Sequence, residues 1–190
     1  MYDAVADPYC YAGTTVLKNI PGIRDQAALE DFEAIATAQR AEEPLPNGRL
    51  SIAHYKATHH HLFQDVYRWA GNFRTVRISK DGNMFCYPEN IAREMRTLFT
   101  DLKAKRFLQD LSRDRFVAEG ASFLSTLNAI HPFREGNGRT QTTFFALVAH
   151  QASHPLDLDR LDADQFLRAM IESFQGNEAP LVRELDRLTK

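Results

Sequence analysis

At 190 residues, with 44% apolar and 25% charged side chains, the chain can build an ordinary hydrophobic core. The balance of 23 Lys+Arg against 25 Asp+Glu, a net charge of −2, excludes a broad basic face for nucleic acid. No apolar run approaches the ~20 residues needed to cross a bilayer, so neither nucleic acid nor a membrane is an expected partner.

The stretch Met1-Tyr2-Asp3-Ala4-Val5 lacks the basic-then-apolar pattern of a secretory signal. Cys10 and Cys86 stand far apart, which fits a reduced, cytoplasmic protein better than a disulfide. Length and the absence of repeats or linkers indicate a single domain over 1–190.

Residues 1–25 are aromatic and turn-rich and read as an arm packed on the body through Val16, Leu17 and Ile20. Asp25 is placed to cap a helix over about 26–41, with Leu29, Phe32, Ile35 and Ala36 at helical spacing. After a Pro- and Asn-Gly-containing loop, Ser51 caps a helix expected to reach Trp69, with Ile52, Tyr55, Leu62 and Val66 on its apolar stripe. Its His59-His60-His61 run does not suit a metal, because consecutive helical side chains diverge by about 100°.

Residues 73–87 read as a β-hairpin turning at Asp81-Gly82. Such a hairpin is either a plain surface feature or an edge that accepts an extended peptide as an added strand. Pro88 suits the first position of a helix over about 88–106, striped by Ile91, Met95, Leu98 and Leu102. Ser112 caps the next helix, with Phe116, Ala121, Leu124, Leu127 and Ile130 inward. A further helix from about Arg139 is apolar almost all round at Phe144, Phe145, Leu147 and Val148, which suits a central position. Helices over about 163–174, with Phe166, Leu167, Met170 and Ile171 inside, and about 179–188 complete an all-α bundle with one small hairpin.

Between the two central helices lies His131-Pro132-Phe133-Arg134-Glu135-Gly136-Asn137-Gly138-Arg139. A plain connector does not need that set. Gly136 and Gly138 allow a turn whose N–H groups converge at the start of a helix, where the dipole favours an anion. Asn137 adds a donor and Arg139 a fork for phosphate oxygens. Glu135 would repel a phosphate unless Mg²⁺, held by one carboxylate and by substrate phosphates, lay between them. His131 can accept a proton near neutral pH. Together these residues suit phosphoryl or nucleotidyl transfer to a hydroxyl.

This stretch resembles the signature of Fic domain proteins, His-x-Phe-x-(Asp/Glu)-Gly-Asn-Gly-Arg-x-x-Arg. Tyr9 through Asp25 and His59 through Gly71 are Fic-like too. The resemblance implies a Fic-type helical bundle with a small β-hairpin flap and a protein adenylyltransferase that moves AMP from ATP to a Tyr, Thr or Ser hydroxyl of a target protein. It implies His131 as base and Glu135 on Mg²⁺. Gly136, Asn137, Gly138 and Arg139 would hold the nucleotide. A flap bearing Thr75, Val76, Arg77, Ile78 and Phe85 would dock the target. Such proteins work in the bacterial cytoplasm or are delivered into a host cell.

The signature's second Arg is Thr142 here. Thr offers neither charge nor fork, which implies weak ATP binding, another nucleotide or phosphate-containing group as donor, or a catalytically impaired binding module. A metal-dependent hydrolase built on His131 and Glu135 is a further alternative. The (Ser/Thr)-x-x-x-Glu-(Gly/Asn) pattern of the family's inhibitory helix is absent from the chain, so either a separate small antitoxin supplies it or control is lacking. Doc-like kinase members carry Lys at the position of Gly138, which speaks against phosphate transfer.

Overall fold

The structure, a computed structural model, describes residues 7–80 and 83–190. The chain divides into two units: one runs up to Ile91 and takes in Pro132–Thr140, the other comprises Ala92–His131 and Gln141–Lys190.

In the first unit, helix α1 (Gln26–Glu42) starts where the Asp25 carboxylate accepts the Ala28 N–H at 2.9 Å. Helix α2 (Ile52–Phe63) starts at Ser51, whose hydroxyl accepts the His54 N–H. The two pack together around Leu29, Ala36, Leu62 and Phe63, joined by Val66, Tyr67 and Ala70. Full burial of a Leu, Val or Phe side chain of this set contributes about 1.5–3 kcal/mol. The arm adds Cys10, Val16 and Leu17 to this core. It doubles back on itself, Tyr11 N–H donating to Val16 O at 2.9 Å and Lys18 N–H to Tyr9 O at 2.7 Å. Residues 1–6 of the expected arm lie outside the described residues.

Helix α2 stops six residues short of the expected Trp69. The N–H groups of Val66 and Tyr67 both turn back to Phe63 O, and Val66 O accepts from Ile20 N–H at 2.8 Å. The apolar spacing past Phe63 therefore belongs to a buried turn. Gly71, at φ +81°, brings the chain back so close that a Cβ there would lie 3.0 Å from Lys56 O.

The expected 73–87 hairpin narrows to β1 (Ser79–Lys80) and β2 (Asn83–Met84), paired antiparallel with Ser79 opposite Met84. The expected Asp81-Gly82 turn lies outside the described residues. Below the two strands a side chain replaces the ladder. The buried Arg74 guanidinium donates to Val76 O at 2.7 Å and to Cys86 O at 2.6 Å.

The second unit holds most of helix α3 (Pro88–Ala104), helix α4 (Arg113–Ile130) and most of helix α5 (Asn137–Gln151). Helices α6 (Ala163–Phe174) and α7 (Ala179–Leu188) pack on each other and on α4. Ser112 stands at the N-cap of α4, but no side-chain cap bond forms there. Phe116 stacks on Phe145 at 5.8 Å, and Phe144 lies 5.6 Å from Phe99. Asp162 caps α6 through the Asp164 and Gln165 N–H groups. Phe166 and Met170 are buried as expected, whereas Leu167 and Ile171, also expected inside, are exposed at 48% and 39%. One helix face buries a stripe about 100° wide, too narrow to take both members of two adjacent apolar pairs.

Among the described residues, no helix is long and apolar enough to cross a membrane.

Candidate active site

His131 ends α4 in the left-handed conformation, φ 48° and ψ 63°, with its N–H donating to Leu127 O at 3.0 Å. A non-glycine residue there carries backbone strain of about 1–3 kcal/mol, a feature that clusters at functional sites. It caps α4 just beyond Ile130 and still belongs to the second unit; Pro132–Thr140 belong to the first.

Within the first unit, Phe133 anchors the loop, fully buried and stacked on Tyr55 at 5.4 Å. The buried Asn137 amide braces the same residue from both sides. Its Oδ1 accepts Phe133 N–H at 2.9 Å, and its Nδ2 donates to Phe133 O at 2.8 Å. The amide expected to face a phosphate thus also shapes the loop. Thr140 Oγ1 donates to Gly136 O at 2.8 Å.

The two glycines differ. Gly136 makes the turn at φ +79°, and a Cβ there would fall 2.3 Å from Phe63 Cζ. Gly138 lies in the first turn of α5 with nothing within 4 Å of a built Cβ. Gly136→Ala should lower stability by about 2 kcal/mol or more through strain and overlap. Gly138→Ala should be neutral or stabilising by up to about 1 kcal/mol, yet weaken nucleotide binding if phosphates approach that backbone. Melting curves paired with nucleotide calorimetry separate the two effects.

Glu135 is partly buried, and its Oε1 accepts the Gly136 N–H at 2.9 Å. Burial pushes its carboxyl above the usual range, and the nearby Glu33 carboxylate pushes it further. Arg139 is ion-paired with Glu33 of α1, donates to Thr37 Oγ1 at 3.1 Å, and lies with Cζ 4.7 Å from the centre of the Phe63 ring. The Tyr67 hydroxyl donates to the same Glu33 carboxylate. Burial and that carboxylate push the Tyr67 phenol well up, so it stays a donor. Thr142, half-buried on α5, belongs to the second unit.

Three braces had no role in the sequence reading. Arg134 Nε donates to Asp7 Oδ2 at 2.7 Å, with both side chains under 5% exposed. Arg74 N–H donates to Pro132 O at 2.9 Å while its guanidinium closes the hairpin base. His59, fully buried, accepts the Gly71 N–H on Nδ1 at 2.8 Å and reaches Glu135 O with Nε2 at 3.0 Å. Nδ1 being an acceptor, Nε2 carries the proton and donates. Burial holds the ring's pKa down at about 3, so it is neutral at any working pH. The His run splits three ways, His60 donating to Ala70 O and His61 to Arg40 O.

Of the expected docking residues, Thr75 and Arg77 are exposed, Val76 and Phe85 half-buried, and Ile78 buried at 2%. Thr75 N–H donates to the Tyr9 hydroxyl at 3.2 Å, Arg77 stacks over Tyr87 at 4.4 Å, and Phe85 N–H donates to Ile78 O at 3.3 Å.

Among the described residues, no three His, Cys, Asp or Glu side chains group to hold a metal on their own. One hard, partly buried carboxylate beside an N-terminal helix turn instead fits a Mg²⁺ ion that would take its other ligands from water and substrate phosphates.

Residues 49–149, which run through both units, match the family model described as the Fic/DOC family. The chain is 50% identical over 188 residues to the probable protein adenylyltransferase y4lH of Sinorhizobium fredii, covering 98% of each. It is 33% identical over 175 residues to the probable protein adenylyltransferase Fic of Escherichia coli, covering 90% of this chain and 86% of that one. The crystal structure of the VirB-translocated effector protein BepC from Bartonella tribocorum, with bound AMPPNP, matches at a TM-score of 0.86 and 28% identity, covering 96% of each chain. The chain therefore belongs to the Fic/DOC family.

Proposed function

We propose that this chain is a protein adenylyltransferase that moves AMP from ATP to a Tyr, Thr or Ser hydroxyl of a target protein and releases pyrophosphate. The observation that carries this reading is the loop itself: a strained His131 followed directly by a braced turn with a partly buried carboxylate, its pKa raised, just before a helix N-terminus. The relative y4lH, matched over 98% of each chain, bears the same activity in its name, probable protein adenylyltransferase. In this reading His131 takes the proton from the target hydroxyl as its oxygen attacks the α-phosphorus. The Gly136 turn, Asn137 and the first N–H groups of α5 hold the phosphate charge, and Arg139 takes the distal phosphates. Glu135 would hold Mg²⁺, which when bound neutralises charge on the phosphates. The exposed Thr75 and Arg77, with Val76 and Phe85, would register the target, and Arg74 keeps that segment tied to the loop. The protein would act in the bacterial cytoplasm or, were it delivered by a secretion system, in a host cell; the similar BepC is a VirB-translocated effector. Control would come from a separate antitoxin or be lacking.

Thr142 supports a second reading, transfer of a different nucleotide or phosphate-containing group. A lost charge-assisted contact to the terminal phosphate removes about 1.5–3 kcal/mol. Incubation with Mg²⁺, a cell lysate and each labelled nucleotide in turn decides between them. A labelled protein band with ATP alone supports AMP transfer. A band with another donor supports the second reading, and no band with any donor overturns both.

Glu135→Gln tests the metal site. Because burial raises the Glu135 pKa, the fold favours its neutral form. That contribution to stability is full below the carboxyl's ordinary value of 4.5 and is lost as pH rises through the raised value. At pH 7.5 without metal, Glu135→Gln should therefore melt about 2–4 °C higher than the parent while losing transfer. The parent's activity should fall on acidification at a higher pH than an ordinary carboxylate would give. A lower melting point for the variant would remove the argument.

A further inference from the structure

His59 lies on α2, 76 residues from Glu135 of the loop in sequence, and no phosphate or hydroxyl chemistry requires it. It is nonetheless held on every side. Phe133 stacks on its ring at 3.7 Å, Phe63 at 4.7 Å, and Trp69 leans on it at 5.9 Å. Its two nitrogens join a continuous series of hydrogen bonds. Gly71 N–H donates to Nδ1, Nε2–H donates to Glu135 O, and the N–H on the other side of that same peptide, Gly136 N–H, donates to Glu135 Oε1. A trans peptide is planar with its C=O and N–H pointing opposite ways. Fixing the carbonyl therefore fixes the N–H, and the N–H fixes the carboxylate.

We propose that His59 is a positioning residue that aims the Glu135 carboxylate through the Glu135–Gly136 peptide plane. The inference rests on the reading of Glu135 as the residue that holds Mg²⁺. It goes beyond that reading by naming a group that touches neither metal nor nucleotide and yet sets their ligand. The same series links Gly71, where the chain returns from the buried turn after α2, to the nucleotide loop.

Three substitutions separate this role from simple packing. His59→Gln keeps a donor at the place of Nε2, His59→Asn keeps an acceptor at the place of Nδ1, and His59→Phe keeps the ring stack alone. The first readout uses the metal-free protein. Hydrogen exchange at the Gly136 amide should stay slow in the parent and in His59→Gln and speed up at least tenfold in His59→Asn and His59→Phe. The second is calorimetry with a non-hydrolysable ATP analogue, with and without Mg²⁺. The Mg²⁺-dependent gain in affinity should fall about 10–100-fold in His59→Asn and His59→Phe, with His59→Gln close to the parent and metal-free affinity alike in all four.

Equal Gly136 exchange in His59→Gln and His59→Asn would overturn the proposal, as would an equal loss of the Mg²⁺ gain in both. If the parent shows no Mg²⁺ gain while Gly136 exchange still follows the donor, the metal reading of Glu135 fails and the peptide link stands.

Discussion

His131→Ala should lower the rate of AMP transfer by about 10²–10⁴-fold or more while leaving the fold intact. The backbone adds a second expectation. At φ 48° and ψ 63°, position 131 suits glycine better than any side chain. His131→Gly should therefore be as inactive as His131→Ala yet more stable than it by about 1–2 kcal/mol. For a chain of this size that is a difference of several degrees in Tm. Kinetics with labelled ATP and a purified target, read beside thermal melts of both variants, test the two statements independently. An undiminished rate in His131→Ala would remove the base assignment. A Gly variant no more stable than Ala would show that α4 ends without strain.

Breaking the buried ion pair should have the largest effect on stability. Arg134 and Asp7 are 4% and 3% exposed, and their charged atoms meet at 2.7 Å. Removing one partner leaves the other charged, desolvated and unpaired, at a cost of about 3–5 kcal/mol. Asp7→Ala or Arg134→Met should each lower Tm by about 10 °C. Asp7 also accepts the Tyr9 N–H at 2.9 Å, so its loss loosens the arm as well. The pair replaced together by apolar side chains should recover much of the loss, since a buried pair is seldom more stabilising than well-packed hydrophobic residues. Denaturant melts of the two single variants and the double variant form the cycle. Additive losses would mean that the two charges do not interact.

The elements that rest on local chemistry were legible in the sequence. Asp25 and Asp162 cap where their side chains can reach N–H groups two or three residues on, and Pro88 opens α3. The nine-residue loop was legible because its residue types have few other uses together. What was hidden depends on partners distant in the chain. Glu33 reads as one more charge on α1, and its pairing with Arg139 could not be seen from either neighbourhood. His59 stood in a run of three like residues, and what sets it apart is where Gly71 and Glu135 arrive. Helix α2 looked longer than it is because a tight turn that buries Val66 and Tyr67 imitates helical spacing. On α6 the pairs Phe166-Leu167 and Met170-Ile171 suggested a broader apolar face than the bundle covers.

The sequence separations of the loop's braces bear on how the protein comes to be folded. Arg134 meets a partner 127 residues earlier and Arg139 one 106 residues earlier. Closing such long stretches of chain is entropically costly and slow compared with forming a helix. During synthesis, α1 and α2 emerge well before the segment that ties them to the nucleotide loop. A ribosome-bound chain arrested before residue 132 would hold helices without a cradle, so nucleotide capture should arise late, after the loop has been made and has returned to the first helix.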